Sequence, residues 1–189
     1  MAETSRALSP DSTPAAATAT ERAPVTVVGI GNEFRGDDAV GLTVVRQLKE
    51  RVPTGARTFE LTGDQTYLLE LMRSTDAVIM VDAVQSSAPA GTIFRVDASE
   101  EPVPKEFMSF STHAIDSASA IELARTLGSL PGTILIYGIV GKKFSFSTSM
   151  TAEVREVIEM VQERILADIE CILSEEYPGK KENCPGNRS

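Results

Sequence analysis

The stretch V25-T-V-V-G-I-G-N-E-F-R-G-D-D-A-V-G41 decides how the rest of the chain is read. Val25 to Ile30 is an almost unbroken apolar and β-branched run, the composition of a strand covered on both faces, and it empties into a glycine turn. A strand entering G-x-G commonly marks a dinucleotide site, where a helix N-terminus and a close backbone approach receive a pyrophosphate. This turn lacks that fingerprint. Gly29 and Gly31 are followed by Glu33, the third-glycine position holds Phe34, and the remaining glycines are Gly36 and Gly41. Asp37 and Asp38 stand near the start of the next helix, where a phosphate would sit, and two carboxylates there repel a phosphate and attract a cation.

Outward from the turn, strands alternate with helices. Asp38 to Arg51 puts Val40, Val44, Val45 and Leu48 on one helical stripe; Arg57 to Leu61 is a short second strand and Tyr67 to Arg73 a second helix. Ala77 to Val81 is a further apolar strand, ending in Asp82. The link from there to Gly91–Val96 is too short for a helical crossover, so that segment pairs antiparallel at the sheet edge. Residues 97–112, with Pro102 and Pro104, read as a long loop; Ala114 to Leu127 is helical through Ile115, Ala118, Ile121, Leu123 and Ala124, and Thr133 to Val140 is the last strand. Thr151 caps a long helix whose Val154, Val157, Ile158, Val161, Ile165, Ile169 and Ile172 recur every three or four residues. The expectation is one three-layer α/β domain: a mostly parallel five-stranded sheet with one antiparallel edge strand, between helices. Residues 1–23, rich in Ala, Ser, Thr and Pro, read as a disordered leader, 24–176 as the α/β domain, and 177–189 as a flexible tail.

Composition narrows the partners. The 189 residues are 42% hydrophobic and 24% charged, ordinary for a globular domain with a sizeable core. Acidic residues outnumber basic ones 27 to 18, a formal charge of −9 that opposes a nucleic-acid partner. The two cysteines, Cys171 and Cys184, make neither a zinc spacing nor a disulfide framework, and no apolar stretch suits a membrane span or a signal peptide, so a soluble, cytoplasmic protein is expected.

In open α/β sheets functional groups gather beyond the carboxyl ends of strands. Three residues meet that condition: Asp38 after the first strand, Asp82 at the end of A77-V-I-M-V81, and His113, the only histidine, just before a helix. Two carboxylates and an imidazole suit Ni²⁺ or Zn²⁺ with positions left open for substrate or water. Each has a plainer reading: Asp37 or Asp38 as a helix cap, Asp82 as a turn former, His113 as a structural histidine. Asp37 is expected to cap or support its neighbour. Glu33 and Arg35 read as solvated turn residues, Asp64 in T62-G-D-Q-T66 as a turn or cap residue, and the charges of the last helix as an exposed face. No G-x-S-x-G elbow is present.

With those residues in hand, the chain resembles the hydrogenase maturation proteases, endopeptidases that trim the C-terminal extension of a nickel-loaded hydrogenase large subunit. The resemblance spans about Val25 to Ile172 and rests on V-G-I-G-N-E-F-R-G-D-D-A-V-G (28–41), V-I-M-V-D-A-V (78–84) with P-A-G-T-I (89–93), S-T-H (111–113) and Y-G-I (137–139). It implies that Asp38, Asp82 and His113 form the metal-binding and catalytic set. The nickel would be supplied by the substrate, with Cd²⁺ or Zn²⁺ able to occupy the site in vitro, and the partner would be a hydrogenase large-subunit precursor. Many members carry a D-G-G-T-x-G loop after the second strand; this chain reads E60-L-T-G-D-Q-T66, similar to a branch with a G-D-x-x-x-L-L pattern. Two alternatives stand beside it. Peptidyl-tRNA hydrolases share V-G-I-G-N, but their G-N-P-G continuation and early histidine are missing, and a non-catalytic nucleotide- or metal-binding module is opposed by the broken glycine fingerprint.

Overall fold

The computed structural model describes residues 23–62, 66–99 and 114–174. Their elements are β1 (Ala23–Ile30), a 3₁₀ turn (Gly36–Ala39), α1 (Val40–Leu48), β2 (Ala56–Leu61), α2 (Thr66–Arg73), β3 (Thr75–Val84), β4 (Ile93–Asp97), α3 (Ala114–Thr126), β5 (Thr133–Val140), α4 (Ala152–Glu156) and α5 (Ile158–Leu173). The strands form one sheet in the order β2-β1-β3-β5-β4. All neighbours are parallel except β4, which pairs antiparallel with β5 at the edge. The expected class and edge strand are therefore present. The expected leader up to residue 22 and the tail lie outside the described residues, as does most of the expected loop; Ala23 belongs to β1.

The apolar pattern sorts itself onto two faces because side chains alternate along each strand. Val25, Val27, Ala77, Ile79 and Val81 pack with Val40, Val44 and Leu48 of α1 and with Val161, Ile165 and Ile169 of α5. Val28, Ile30, Val78, Met80, Ile134 and Ile136 pack with Leu68 and Leu71 of α2 and with Ile121 and Ala124 of α3. Leu123, expected on the buried stripe of α3, is instead exposed.

Three boundaries differ from expectation. The helix expected from Asp38 begins as a 3₁₀ turn and becomes α-helical at Val40. The expected single C-terminal helix is interrupted at Val157, beside the tight turn at Gly91, whose Cβ position would be 2.7 Å from the Glu153 carbonyl. β3 runs past Asp82, because Ala83 and Val84 continue the ladder against Ile139 and Val140 of β5. Cys171 on α5 is disulfide-bonded, which corrects the expectation that the two cysteines make no disulfide framework.

The start of α1 sits hard against the sheet, and Gly41 is what permits it. A Cβ there would lie 2.3 Å from both the Ile30 and the Val81 carbonyl oxygens, and one on Gly29 would lie 2.2 Å from the Gly41 carbonyl. Since both obstacles at Gly41 are backbone, Gly41→Ala is expected to force α1 off the sheet and cost about 1–3 kcal/mol. Urea denaturation checks this, and an unchanged midpoint would contradict the packing described.

Candidate metal and catalytic site

With the order β2-β1-β3-β5-β4, the chain leaves β1 toward β2 on one side and returns to β3 on the other. The crevice between the carboxyl ends of β1 and β3 is thus the topological switch point, where open α/β sheets bind ligands. Asp38 and Asp82 both belong to this rim. Asp38 is fully buried in the 3₁₀ turn after β1 and Asp82 is 6% exposed near the end of β3. The turn packs against β3. Gly41, three residues after Asp38, abuts the Val81 carbonyl, one residue before Asp82.

Asp82 is a strand residue and not a turn former. Its Oδ1 accepts a hydrogen bond from the Ala83 N–H at 2.8 Å, and Gly138 is its partner across the ladder to β5. By strand alternation Asp82 continues the face of Val78 and Met80, the side covered by α2 and α3. Gly138 contributes no side chain beside it. His113 and Asp64 lie outside the described residues; α3, which packs on the Asp82 side, begins at Ala114. Among the described residues, no group of three or more His, Cys, Asp or Glu is gathered closely enough to hold a metal. What the described residues contribute is two buried carboxylates on one rim.

Asp37 is not the helix cap that its position suggested, because neither the 3₁₀ turn nor α1 has a side-chain cap bond. Its carboxylate instead accepts hydrogen bonds from the backbone N–H groups of Lys142 (2.9 Å), Lys143 (2.9 Å) and Thr151 (2.7 Å), and from the Thr151 hydroxyl (3.1 Å). Burial alone would push the Asp37 carboxyl up, but the N–H groups of Thr151, Lys142 and Lys143 and the Thr151 hydroxyl outweigh it and hold the group below the ordinary carboxylate value. Thr151 does occupy the N-cap position of α4, yet its hydroxyl serves Asp37 and makes no cap bond.

The segment 142–151 is therefore part of the rim, and no motif in the sequence marked it. Arg35, read as solvated, forms a bridge with Ser147 and donates from Nε to the Phe144 carbonyl at 3.3 Å. Glu33 does fit its reading, pairing at the surface with Arg46 at 3.4 Å. Exposed Phe34 and Phe146 stack across the two segments with ring centroids 6.4 Å apart.

A second polar group also escaped the sequence reading. Asp168 on α5 is buried and receives Arg95 of β4 through two bonds of 2.9 and 3.0 Å and the Tyr137 hydroxyl of β5 at 2.6 Å. Burial first, and then the Asp168 charge, raise the Tyr137 phenol well above its usual value, so it remains a donor. The available signal was spacing: Asp168 falls three residues after Ile165 and seven after Val161, on the buried stripe, where an acid needs a partner.

Comparison with known proteins agrees with this architecture. The chain is 27% identical over 153 residues to the hydrogenase 2 maturation protease of Escherichia coli K12, covering 76% of this chain and 88% of that protein. It is 28% identical over 137 residues to the hydrogenase expression/formation protein HupD of Thiocapsa roseopersicina, covering 71% of this chain and 62% of that protein. The structure of the hydrogenase maturating endopeptidase HybD from E. coli superposes with a TM-score of 0.69 at 25% identity, covering 77% of this chain and 91% of HybD. No helix among the described residues is long and apolar enough to cross a membrane. Residues 42–168 match the hydrogenase maturation protease family, and this chain, in sequence and in fold, belongs to it.

Proposed function

We propose that this protein is an endopeptidase that removes the C-terminal extension of a nickel-loaded hydrogenase large-subunit precursor. The observation that carries the reading is the pair of buried carboxylates, Asp38 and Asp82, on one rim at the β1/β3 switch point of a chain in this protease family. Asp38, Asp82 and His113 receive a nickel ion that arrives on the substrate. Hard oxygen donors in an open set bind free metal weakly compared with a closed thiolate cage, which suits transient engagement of a metal held by the substrate's own cysteines. A metal held by these residues would supply Lewis-acid chemistry, orienting the scissile segment and polarising its carbonyl or a water. One of the two carboxylates accepts the proton of the attacking water.

The test uses purified protein and two preparations of a large-subunit precursor, nickel-loaded and nickel-free, followed by intact-mass measurement. The nickel-loaded precursor is expected to lose its C-terminal extension, and the nickel-free one to stay at full mass. Equal shortening of both would remove nickel from the mechanism. A nickel-loaded precursor left intact would remove the peptidase assignment for that precursor.

A further inference from the structure

The carboxylate beside Asp38 is bound in a way that neither a helix cap nor a solvated acid requires. A cap bonds the N–H groups of its own following turn. Every hydrogen-bond donor described above for Asp37 belongs instead to residues 142–151. The backbones of the two segments are joined as well: Asp37 N–H donates to the Lys143 carbonyl at 2.8 Å, Gly36 N–H to the Ser147 carbonyl at 2.7 Å, and Ser147 N–H to the Phe34 carbonyl at 2.8 Å. Gly141 makes the approach possible, since a Cβ there would lie 2.8 Å from the Asp37 Cβ. The 3₁₀ turn is thus clamped on its Asp37 side while its other end is wedged against β1 and β3 through Gly41. Asp38 sits between the two anchors.

We infer that Asp37 is a positioning residue: its carboxylate locks the turn to segment 142–151 and so fixes Asp38 for metal contact. This inference rests on the reading of Asp38 as a metal-contacting residue. Groups that hold a metal-contacting side chain in place commonly contribute about 10- to 100-fold in metal affinity. A residue that served stability alone would lower the melting temperature and leave the affinity of the folded protein unchanged.

The experiment is a calorimetric Cd²⁺ titration of the full chain as wild type, Asp37→Asn and Asp38→Ala. It is paired with fluorescence anisotropy in a Phe146→Trp background, where the chain's lack of tryptophan makes the introduced indole the sole reporter of the segment. Asparagine keeps the shape of aspartate but presents an amide donor to backbone donors. The expected result for Asp37→Asn is Cd²⁺ affinity reduced about 10- to 100-fold with an unchanged far-UV spectrum, and lower indole anisotropy. Loss of Cd²⁺ binding in Asp38→Ala with wild-type affinity in Asp37→Asn would overturn the inference and leave the proposed function standing. Wild-type affinity in Asp38→Ala would overturn the metal reading itself, and unchanged anisotropy in Asp37→Asn would then overturn the clamp too. Should Asp37→Asn fail to fold, Thr151→Val, which removes one hydroxyl donor, decides: an affinity about twofold or more below wild type supports the inference, and an unchanged one rejects it.

Discussion

Asp38→Ala is expected to leave the precursor at full length in cells that also make the wild-type protein's substrate, while the variant itself remains folded. The expected loss is large because, in the proposed function, the carboxylate serves the reaction and not only the fold. Lewis-acid stabilisation by a correctly held metal is worth several kcal/mol, and about 4 kcal/mol corresponds to about a thousandfold in rate. Asp82→Ala and His113→Ala are expected to fall by a comparable factor, and the double variant Asp38→Ala/Asp82→Ala to fall little further, since groups that act as one unit are not additive. Co-expression with the precursor and intact-mass measurement give the readout, with circular dichroism as the control for folding. Release of the C-terminal peptide at the wild-type rate by Asp38→Ala and His113→Ala would dismiss the three-residue set.

The largest effect on stability is expected at Asp168. Replacement by alanine strips Arg95, whose side chain is only 13% exposed, of its counter-charge, and leaves the buried Tyr137 hydroxyl without its acceptor. Breaking a buried ion pair by removing one partner costs about 3–5 kcal/mol. For a domain of this size that lowers the melting temperature by roughly 10 °C or more. The loss is largely recovered if the set is removed together: Arg95→Met, Tyr137→Phe and Asp168→Leu in one chain are expected to regain most of it, because no charge is then buried alone. Tyr137→Phe by itself costs about 1 kcal/mol, the net value of one hydrogen bond. Thermal melts of the four proteins separate these cases, and an Asp168→Ala melt within about 2 °C of wild type would show that the group does not hold β4, β5 and α5 together.

Much of this fold was legible because apolar periodicity reports burial directly. The runs at Val25–Ile30 and Thr133–Val140 are buried on both sides of a sheet, and the stripe Val161, Ile165, Ile169 faces it. The short link after Asp82 correctly forced an antiparallel edge. Boundaries were less legible where tertiary contact overrides local preference. Nothing local to Asp82 shows that β5 extends the ladder past it, and nothing local to Asp37 shows that its acceptors face a segment more than a hundred residues later. The acids of the candidate site stand out in the sequence because turns at strand ends are few, whereas the supports of Asp37 are mostly backbone N–H groups, which every residue but proline has and no sequence advertises.

The clamp at Asp37 also bears on the order in which the molecule is made. Its bonds join residues separated by 105 to 114 positions, so the turn that carries Asp38 emerges early and waits for the last strand and the loop beyond it. Contacts that distant are costly to close before the intervening chain has collapsed. Asp38 is consequently fixed only once the chain has folded through residue 151, and on the proposed function a partly synthesised or partly folded copy carries the aspartate without the geometry for metal contact.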